Sequence, residues 1–270
     1  ATPIGNLGDI TYRAVEMLRT ADLIAAEDTR HTRGLLAHYD IHTPMTSYHE
    51  HNKDAKGPEL IARMQAGETI VCVSDAGLPG IADPGGDLVR RAVAAGISVT
   101  PLPGANAALS ALICAGLSLE GFTFVGFLPR KEKKRREVLA RVAASPATLI
   151  FYEAPHRLRE TLGRERQACA ARELTKKFEE FRRAPLGELS DYYRENEPRG
   201  EFVIVVAGAD ENVAADDGEE MSLIEHYAAH IAAGLDKKEA MRRTAQERGI
   251  SRRDVYQAVL AEEDKRSTPI

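Results

Sequence analysis

The sequence lacks the features that mark membrane-spanning and secreted proteins. No apolar run approaches the roughly 18 residues that a membrane span needs, and no secretory signal peptide is recognisable. The three cysteines, Cys72, Cys114 and Cys169, lie in apolar or alanine-rich surroundings without CxxC spacing. They predict buried, reduced thiols and neither a disulfide framework nor a zinc site. We therefore expect a cytoplasmic protein without membrane association.

Several motifs of phosphate binding and nucleophilic catalysis are also missing. The chain has no GxxxxGK[ST] loop, no GxGxxG dinucleotide fingerprint and no GxSxG nucleophile turn. These absences disfavour a nucleoside triphosphate, a pyrophosphate-bearing cofactor and a serine hydrolase.

The 270 residues, 43% hydrophobic and 29% charged, are typical of a soluble globular protein of about two domains. A net charge of −5 argues against a general nucleic-acid binder. Two basic islands interrupt this acidity, "PRKEKKRRE" at 129–137 (the basic segment) and "RRTAQERGISRRD" at 242–254. Each indicates either a local anionic partner or a solvated helix face.

Strands alternate with helices in the first part of the chain, which predicts a parallel sheet. Strands are expected at 22–26, 69–73 and 97–103, and Asp9 is expected to cap the first helix. Because the loop "TPIGNLGD" would normally follow a strand, we expect one before Ala1 that this sequence lacks. The second part predicts another α/β domain with the following strands: 121–129, 148–152 (entering a helix), 167–176 and 200–208.

The acidic tract 209–220 indicates a linker, followed by two helices flanking Gly249, with Ser251 and Asp254 spaced as a capping box. The predicted domains are 1–116 and 117–210, both α/β, and 211–270, an acidic linker with a small helical segment.

The segment "SDAGLPGIADPGG", residues 74–86 (the glycine-rich loop), leaves one predicted strand and enters a helix. Ligands of open α/β sheets bind at such loops. Four glycines, two prolines and no lysine suit a ligand read by main-chain groups. S-adenosylmethionine, which carries no phosphate, is one such ligand; an unassigned small molecule is the alternative.

Three predicted strands end in mixed charge, in the segments 25–33, 151–157 and 171–176. These charged residues either cap the next helices or line a shared cleft that positions phosphates and transfers protons. His49 and His51 would share one face of a strand as polar site lining or plain surface. No metal site is predicted.

Nine motifs, taken in order, resemble one family: "TPIGNLGDIT", "DLIAAEDTRHT", "YHEHN", "SDAGLPGIADPG", "PLPGANAA", "GFLPRK", "IFYEAPHR", "ARELTK" and "GEFVIVV". They are similar to the bacterial methyltransferases I of small-subunit ribosomal RNA, in the tetrapyrrole-methylase superfamily. The resemblance implies two α/β domains of class III S-adenosylmethionine methyltransferases, a homodimer, and 2′-O-methylation of a cytidine ribose in the decoding region. The RNA substrate is either free or in the assembled 30S subunit.

The resemblance also implies site residues. For the cofactor these are Ile4, Gly5, Ala76, Gly77, Leu78, Ile81, Gly104, Ala105, Tyr152 and Phe202. The family usually has threonine at Leu78 and proline at Ala105, so main-chain contacts are expected at Leu78 in place of a hydroxyl contact. The family also has about two more helical turns near Leu162 and Gly163, so we expect residues to be missing there.

The sequence does not decide which of several candidates is the general base. A larger set of basic residues is expected to bind the phosphates of the RNA. The catalytic candidates are Glu27, Asp28, Arg30, Glu153, His156 and Glu173. The RNA-binding candidates are Arg30, Arg130, Lys131, Lys133, Lys134, Arg135, Arg136, Arg157, Arg172 and Lys176. Two other functions stay open: methylation of a tetrapyrrole, and a non-catalytic RNA-binding module using the C-terminal helices.

Overall fold

A computed structural model describes residues 1–158, 162–209, 223–232, 235–248 and 251–267. The chain divides into two compact units, Ala1–Ala209 and Asp210–Ile270. Within the described ranges, no helix has the length and apolar character needed to cross a bilayer. The predicted linker residues 210–220 lie outside the described residues, and the three predicted domain boundaries stay predictions.

The first part of unit Ala1–Ala209 is a parallel sheet with flanking helices, as predicted. Its elements are α1 Tyr12–Thr20, β1 Leu23–Ala26, α2 Thr29–His38, β2 Met45–Ser47, α3 Lys53–Gln65, β3 Ile70–Val73 and α4 Gly85–Ala94. The next helix, α5 Ala107–Ala115, packs against the sheet of the second part instead. The strands lie in the order β2-β1-β3, and every residue of β1 is buried. Ala26 pairs with Val73, so the carboxyl ends of β1 and β3 are adjacent. This register brings the residues after both strands together.

Three local predictions are wrong. Residues 97–103 form no strand, because Pro101 and Pro103 have no N–H to give to a ladder. Thr11, not Asp9, caps α1 by accepting a hydrogen bond from the Ala14 N–H. His49 and His51 do not lie on a strand, since β2 ends at Ser47 and a turn follows.

The second part of the same unit is a sheet of mixed direction. Its elements are β4 Phe122–Gly126, α6 Glu132–Ala143, β5 Thr148–Phe151, β6 Gln167–Arg172, β7 Glu180–Pro185, α7 Leu186–Glu195 and β8 Phe202–Val206. The strand order is β4-β5-β8-β6-β7; β4 and β5 are parallel, whereas β8 runs antiparallel to β5 and β6. The sequence did not predict β7 or α7, because "EFRRAP" carries adjacent arginines that break the two-residue alternation of a strand.

The helix predicted after β5 begins only as a 3₁₀ turn, Pro155–Arg157, and residues 159–161 lie outside the described part of the chain. The predicted omission near Leu162 and Gly163 stays a prediction. Side chains of the second sheet alternate between two apolar clusters: Leu149 and Phe151 face one, and Ile150 faces the other. Such alternation is what two-sided burial of a sheet requires.

Of the three thiols, Cys169 is buried and Cys72 half-buried, but Cys114 is exposed, contrary to expectation. Its helix α5 is almost entirely apolar (AALSALICA), so the sequence offers no polar face that would reveal the solvent side.

Unit Asp210–Ile270 contains α8 Leu223–Ala232, α9 Lys237–Arg248 and α10 Arg252–Ser267, packed around the buried Tyr227, Ala240 and Val255. The predicted capping box is present. The Ser251 hydroxyl accepts from the Asp254 N–H at 3.2 Å, and the Asp254 carboxylate accepts from the Ser251 N–H at 3.2 Å.

Candidate active-site cleft

The glycine-rich loop connects β3 to α4 and is tied back on itself. The Asp83 carboxylate accepts hydrogen bonds from the Gly80 N–H at 2.8 Å and the Gly85 N–H at 2.7 Å. Gly80 and Gly86 pack so closely that a Cβ on Gly80 would lie 3.2 Å from the Gly86 nitrogen. The loop is therefore fixed by its own backbone and one carboxylate.

The N-terminal segment runs beside this loop. Thr2 and Gly77 exchange two backbone hydrogen bonds of 3.0 Å, and the Thr2 hydroxyl donates to the Ser74 carbonyl. Gly77 has φ +84°, and a Cβ there would lie 3.3 Å from the Ile4 side chain and 3.2 Å from the Ala105 carbonyl oxygen. Glycine thus permits the close approach of three chain segments.

A cleft of about 760 Å³ opens between the carboxyl ends of the two sheets, within the size range of small-molecule sites. It is lined by several of the predicted cofactor residues: Ile4, Ala76, Gly77, Leu78, Ile81, Tyr152 and Phe202. Gly5, Gly104 and Ala105 lie outside its lining. Gly5 packs on Lys176, whereas Gly104 packs on Ala1.

The predicted catalytic carboxylates have different surroundings, and Glu27 stands apart because it lines the cleft without a cation. In the described chain, the charged groups that interact with Glu27 are the carboxylates of Asp75, Asp83 and Asp28. Burial, followed by these negative charges, raises the pKa of Glu27, although the N–H of Asp75 partly offsets the shift. Asp28 instead holds Arg30 in two hydrogen bonds and caps α2, and this bonding to Arg30 lowers the pKa of Asp28 strongly. Asp28 and Arg30 do not line the cleft.

Glu153 lines the cleft but is paired with Arg157 at 2.6 Å. Glu173 lies beside it without lining it. Its carboxylate accepts a hydrogen bond from the Glu201 N–H at 2.9 Å, which, with the Lys176 ammonium 3.0 Å away, lowers the pKa of Glu173. His156 is exposed and lies outside the lining. The environments of Glu153 and Glu173 suit ion pairing better than proton acceptance.

Two of the predicted RNA-binding residues, Arg130 and Arg157, line the cleft. The others of the basic segment cluster at the start of α6, mostly exposed: Lys131, Lys133, Lys134, Arg135 and Arg136. Arg172 lies 3.3 Å from Glu180 on the neighbouring strand, and Lys176 bridges Glu173 and Glu201. Neither of these last two lines the cleft.

Several lining residues were not predicted, among them Asp75, Asp83, Asn106, Phe127 and Glu201. Asp75 and Asp83 stand in the glycine-rich loop itself, where an aspartate is the common residue for binding nearby backbone N–H groups. Asn106 caps α5 by accepting from the Leu109 N–H, a role that "PGAN" before an apolar helix signals. Nothing in the sequence singles out Phe127 or Glu201.

The charge of the cleft restricts its ligand. Among the described residues that line it are five carboxylates and two guanidinium groups: Glu27, Asp75, Asp83, Glu153, Glu201, Arg130 and Arg157. The excess of carboxylates favours a cationic cofactor over a cofactor that carries phosphates, whereas Arg130 and Arg157 provide local positive charge. No group of three histidine, cysteine or acidic side chains in the described ranges is arranged to hold a metal ion.

Comparison with known sequences places the chain among methylases. The profile of the Tetrapyrrole (Corrin/Porphyrin) Methylases matches residues 1–190. "Ribosomal RNA small subunit methyltransferase I" of Halalkalibacterium halodurans is 49% identical over 264 residues, 95% of this chain and 91% of that protein. The protein of the same name from Escherichia coli O157:H7 is 44% identical, over 97% of this chain and 93% of its own.

Solved structures share the fold at low identity. Diphthine synthase covers 76% of this chain and 87% of its own, with a TM-score of 0.59 and 14% identity. Uroporphyrin-III C-methyltransferase of Thermus thermophilus, complexed with S-adenyl homocysteine, covers 75% of this chain and 93% of its own, with a TM-score of 0.51 and 18% identity. At such identities the likeness establishes the fold alone.

Proposed function

Because the chain belongs to the tetrapyrrole (corrin/porphyrin) methylase family, and within it to the ribosomal RNA small subunit methyltransferase I group, we propose the following function. The protein transfers the methyl group of S-adenosylmethionine to the ribose 2′-hydroxyl of a cytidine in the decoding region of small-subunit ribosomal RNA. The methyltransferase class and the use of S-adenosylmethionine come with the family. The nucleoside, the atom and the site residues are our proposal.

The cleft fits S-adenosylmethionine in both size and charge. The sulfonium and amino groups of S-adenosylmethionine are cationic, and the cleft is lined by more carboxylates than guanidinium groups. Gly77 and its neighbours are in such close contact that there is no room for a longer side chain at this position. We therefore expect backbone groups to contact the ligand there. When bound, the cofactor supplies an electrophilic methyl group, so the protein must chiefly align it with the acceptor; such alignment can be worth roughly 7–11 kcal/mol.

We assign Glu27 the role of general base in the proposed reaction. Transfer to a hydroxyl forms an O–C bond, breaks the S–C bond and releases the hydroxyl proton. Glu27 lines the cleft and, among the residues that the structure describes, has no cationic partner; its pKa is raised. The raised pKa makes its carboxylate a better proton acceptor near neutral pH. Glu153 and Glu173, each held by a cation, are better suited to fix Arg157 and Lys176.

Arg157 and Arg130 are proposed to hold the phosphates that flank the target nucleotide. Arg157 is fixed by Glu153 at 2.6 Å and by the Pro129 carbonyl at 3.3 Å, so its guanidinium needs little ordering on binding. Arg130 begins the exposed basic segment, which leads away from the cleft along α6. A strand of RNA could follow this line of positive charge.

We also propose a homodimer. Val89 and Val93 on α4, and Leu109 and Ile113 on α5, are exposed apolar pairs spaced four residues apart, and such stripes favour association between copies. Sedimentation velocity at micromolar concentration tests this, since a monomer at all concentrations would contradict it.

Transfer from tritiated S-adenosylmethionine tests the reaction. Purified 30S subunits, free ribosomal RNA and uroporphyrinogen are each offered to the enzyme, and labelled RNA is then hydrolysed in alkali. Label in an alkali-resistant dinucleotide supports our proposal, because cleavage needs a free 2′-hydroxyl. Label on a base, or on the tetrapyrrole alone, would contradict it. Comparison of subunit with free RNA identifies the substrate form.

A further inference from the structure

Phe127 is an exposed aromatic side chain at the edge of the cleft. It directly follows β4, lines the cleft and is 69% exposed. Single exposed apolar side chains are common on protein surfaces, but a ring that lines a cleft offers an apolar face to whatever binds there.

A backbone irregularity gives Phe127 this position. Pairing of β4 with β5 shifts register between Phe124 and Gly126, as in a β-bulge. Gly126 has φ +73°, a conformation that favours glycine. In a regular strand, residues three apart point to opposite faces. The bulge instead brings the rings of both Phe124 and Phe127 to 5.1 Å from the ring of Tyr152. Bulges that redirect a side chain are frequent beside active sites.

Tyr152 supports Phe127 from one side. The two rings meet edge to face, at an interplanar angle of 63°, which leaves most of the Phe127 ring in solvent. Tyr152 itself lines the cleft, and burial raises the pKa of its hydroxyl. Phe127 therefore packs on a half-buried residue of the proposed cofactor site.

The charge around Phe127 selects the kind of planar group that could cover it. Arg130 and Arg157 also line the cleft, and the basic segment begins two residues after Phe127. An aromatic platform among arginines is typical of surfaces that bind single-stranded RNA, where bases stack and cations hold the phosphates. A purely apolar protein partner would not require these charges.

Resting on the proposed function, we infer that Phe127 is the stacking platform for a nucleobase of the RNA substrate, with Arg130 and Arg157 holding the phosphates on either side. Phe127 positions the nucleotide and takes no part in proton or methyl transfer. Its loss is therefore expected to raise the KM for RNA and to leave cofactor binding unchanged.

Steady-state kinetics with Phe127→Leu, Phe127→Trp and Phe122→Leu tests this inference. Phe122 is a matched control, since it is 47% exposed and lies at the opposite end of β4, about 16 Å away. Initial rates are measured against the RNA substrate that the wild-type protein labels, at saturating S-adenosylmethionine. Cofactor affinity is measured separately by calorimetry, and the melting temperature confirms folding.

We expect Phe127→Leu to raise the KM for RNA about 5- to 150-fold, the range of one lost base stack, with kcat and cofactor affinity within about twofold of wild type. Phe127→Trp restores the KM, and Phe122→Leu behaves as wild type. An unchanged KM in Phe127→Leu, equal loss in the leucine and tryptophan variants, or weakened cofactor binding would overturn the inference. Failure of the wild-type protein to label RNA would instead contradict the proposed function.

Discussion

The Glu27 carboxylate accepts a hydrogen bond from the backbone N–H of Asp75, with 3.4 Å between oxygen and nitrogen. The Asp75 carboxylate in turn accepts from the Asp28 N–H at 3.0 Å. These two bonds join the loops that follow β1 and β3. They also hold the acidic side chain of Glu27 at the wall of the cleft, where burial and, after it, repulsion by nearby carboxylates raise its pKa.

Glu27→Gln is expected to lower kcat about 10²- to 10⁴-fold, the usual contribution of a general base. Glutamine keeps the shape and can accept the Asp75 N–H, so cofactor affinity should stay within a few-fold. Single-turnover methyl transfer measures the effect. Glu16→Gln, an exposed carboxylate on α1, is the control and should behave as wild type. A kcat within threefold of wild type in Glu27→Gln would exclude Glu27 as the base.

The pH dependence of the reaction should carry the same signature. A protonated carboxyl group cannot accept a proton, so kcat should rise with pH through the Glu27 pKa and then level off. Because that pKa is raised, the midpoint is expected above the ordinary glutamate value of about 4.3. A pH series of single-turnover rates checks this. The rising limb should be absent in Glu27→Gln, and a limb that persists there belongs to another group.

Glu27 should also cost the protein stability at neutral pH. A carboxyl group with a raised folded-state pKa favours folding while protonated, so the wild-type protein loses this contribution as pH rises through the folded-state pKa. Glutamine does not ionise, so the Glu27→Gln variant does not lose stability in this way as pH rises. We therefore expect a higher melting temperature for the variant at pH 7.5, and a smaller difference as pH falls toward 5. Equal melting temperatures of the wild-type protein and the variant at both pH values would show that ionised Glu27 does not destabilise the folded protein.

The sequence predicted those elements that depend on neighbouring residues alone. β1 and β3 were predicted as strands because nearly every residue in them is apolar. Ser251 and Asp254 were predicted as a capping box because that motif depends only on their spacing. The surroundings of Glu27 could not be read this way. They depend on the register that puts Ala26 opposite Val73, a contact between segments 47 residues apart. The bulge that turns Phe127 outward likewise arises from pairing with β5.

Gly77→Ala should weaken cofactor binding by closing the contact between the glycine-rich loop and its neighbours. An added Cβ meets Ile4 and the Ala105 carbonyl, and the positive φ adds strain of about 1 kcal/mol. Gly67→Ala is the matched control, since Gly67 has φ +100° with open space around its Cβ position. Both variants should lose unfolding free energy in urea, but only Gly77→Ala should lose S-adenosylmethionine affinity by calorimetry. Equal affinity in the two would remove Gly77 from the cofactor site.

Lys133→Ala with Lys134→Ala should reduce the salt dependence of RNA binding. Both lysines are exposed at the start of α6, and each phosphate contact adds about 0.7 to the slope of log K against log salt for a single strand. Fluorescence anisotropy with RNA between about 50 and 200 mM salt should thus show a slope smaller by about 1.4 in the double variant. Arg13→Ala, which removes an exposed cation on α1, is the control for a positive charge lost away from the cleft and should leave the slope unchanged. If the double variant keeps the wild-type slope, RNA does not contact Lys133 or Lys134 and does not run along α6.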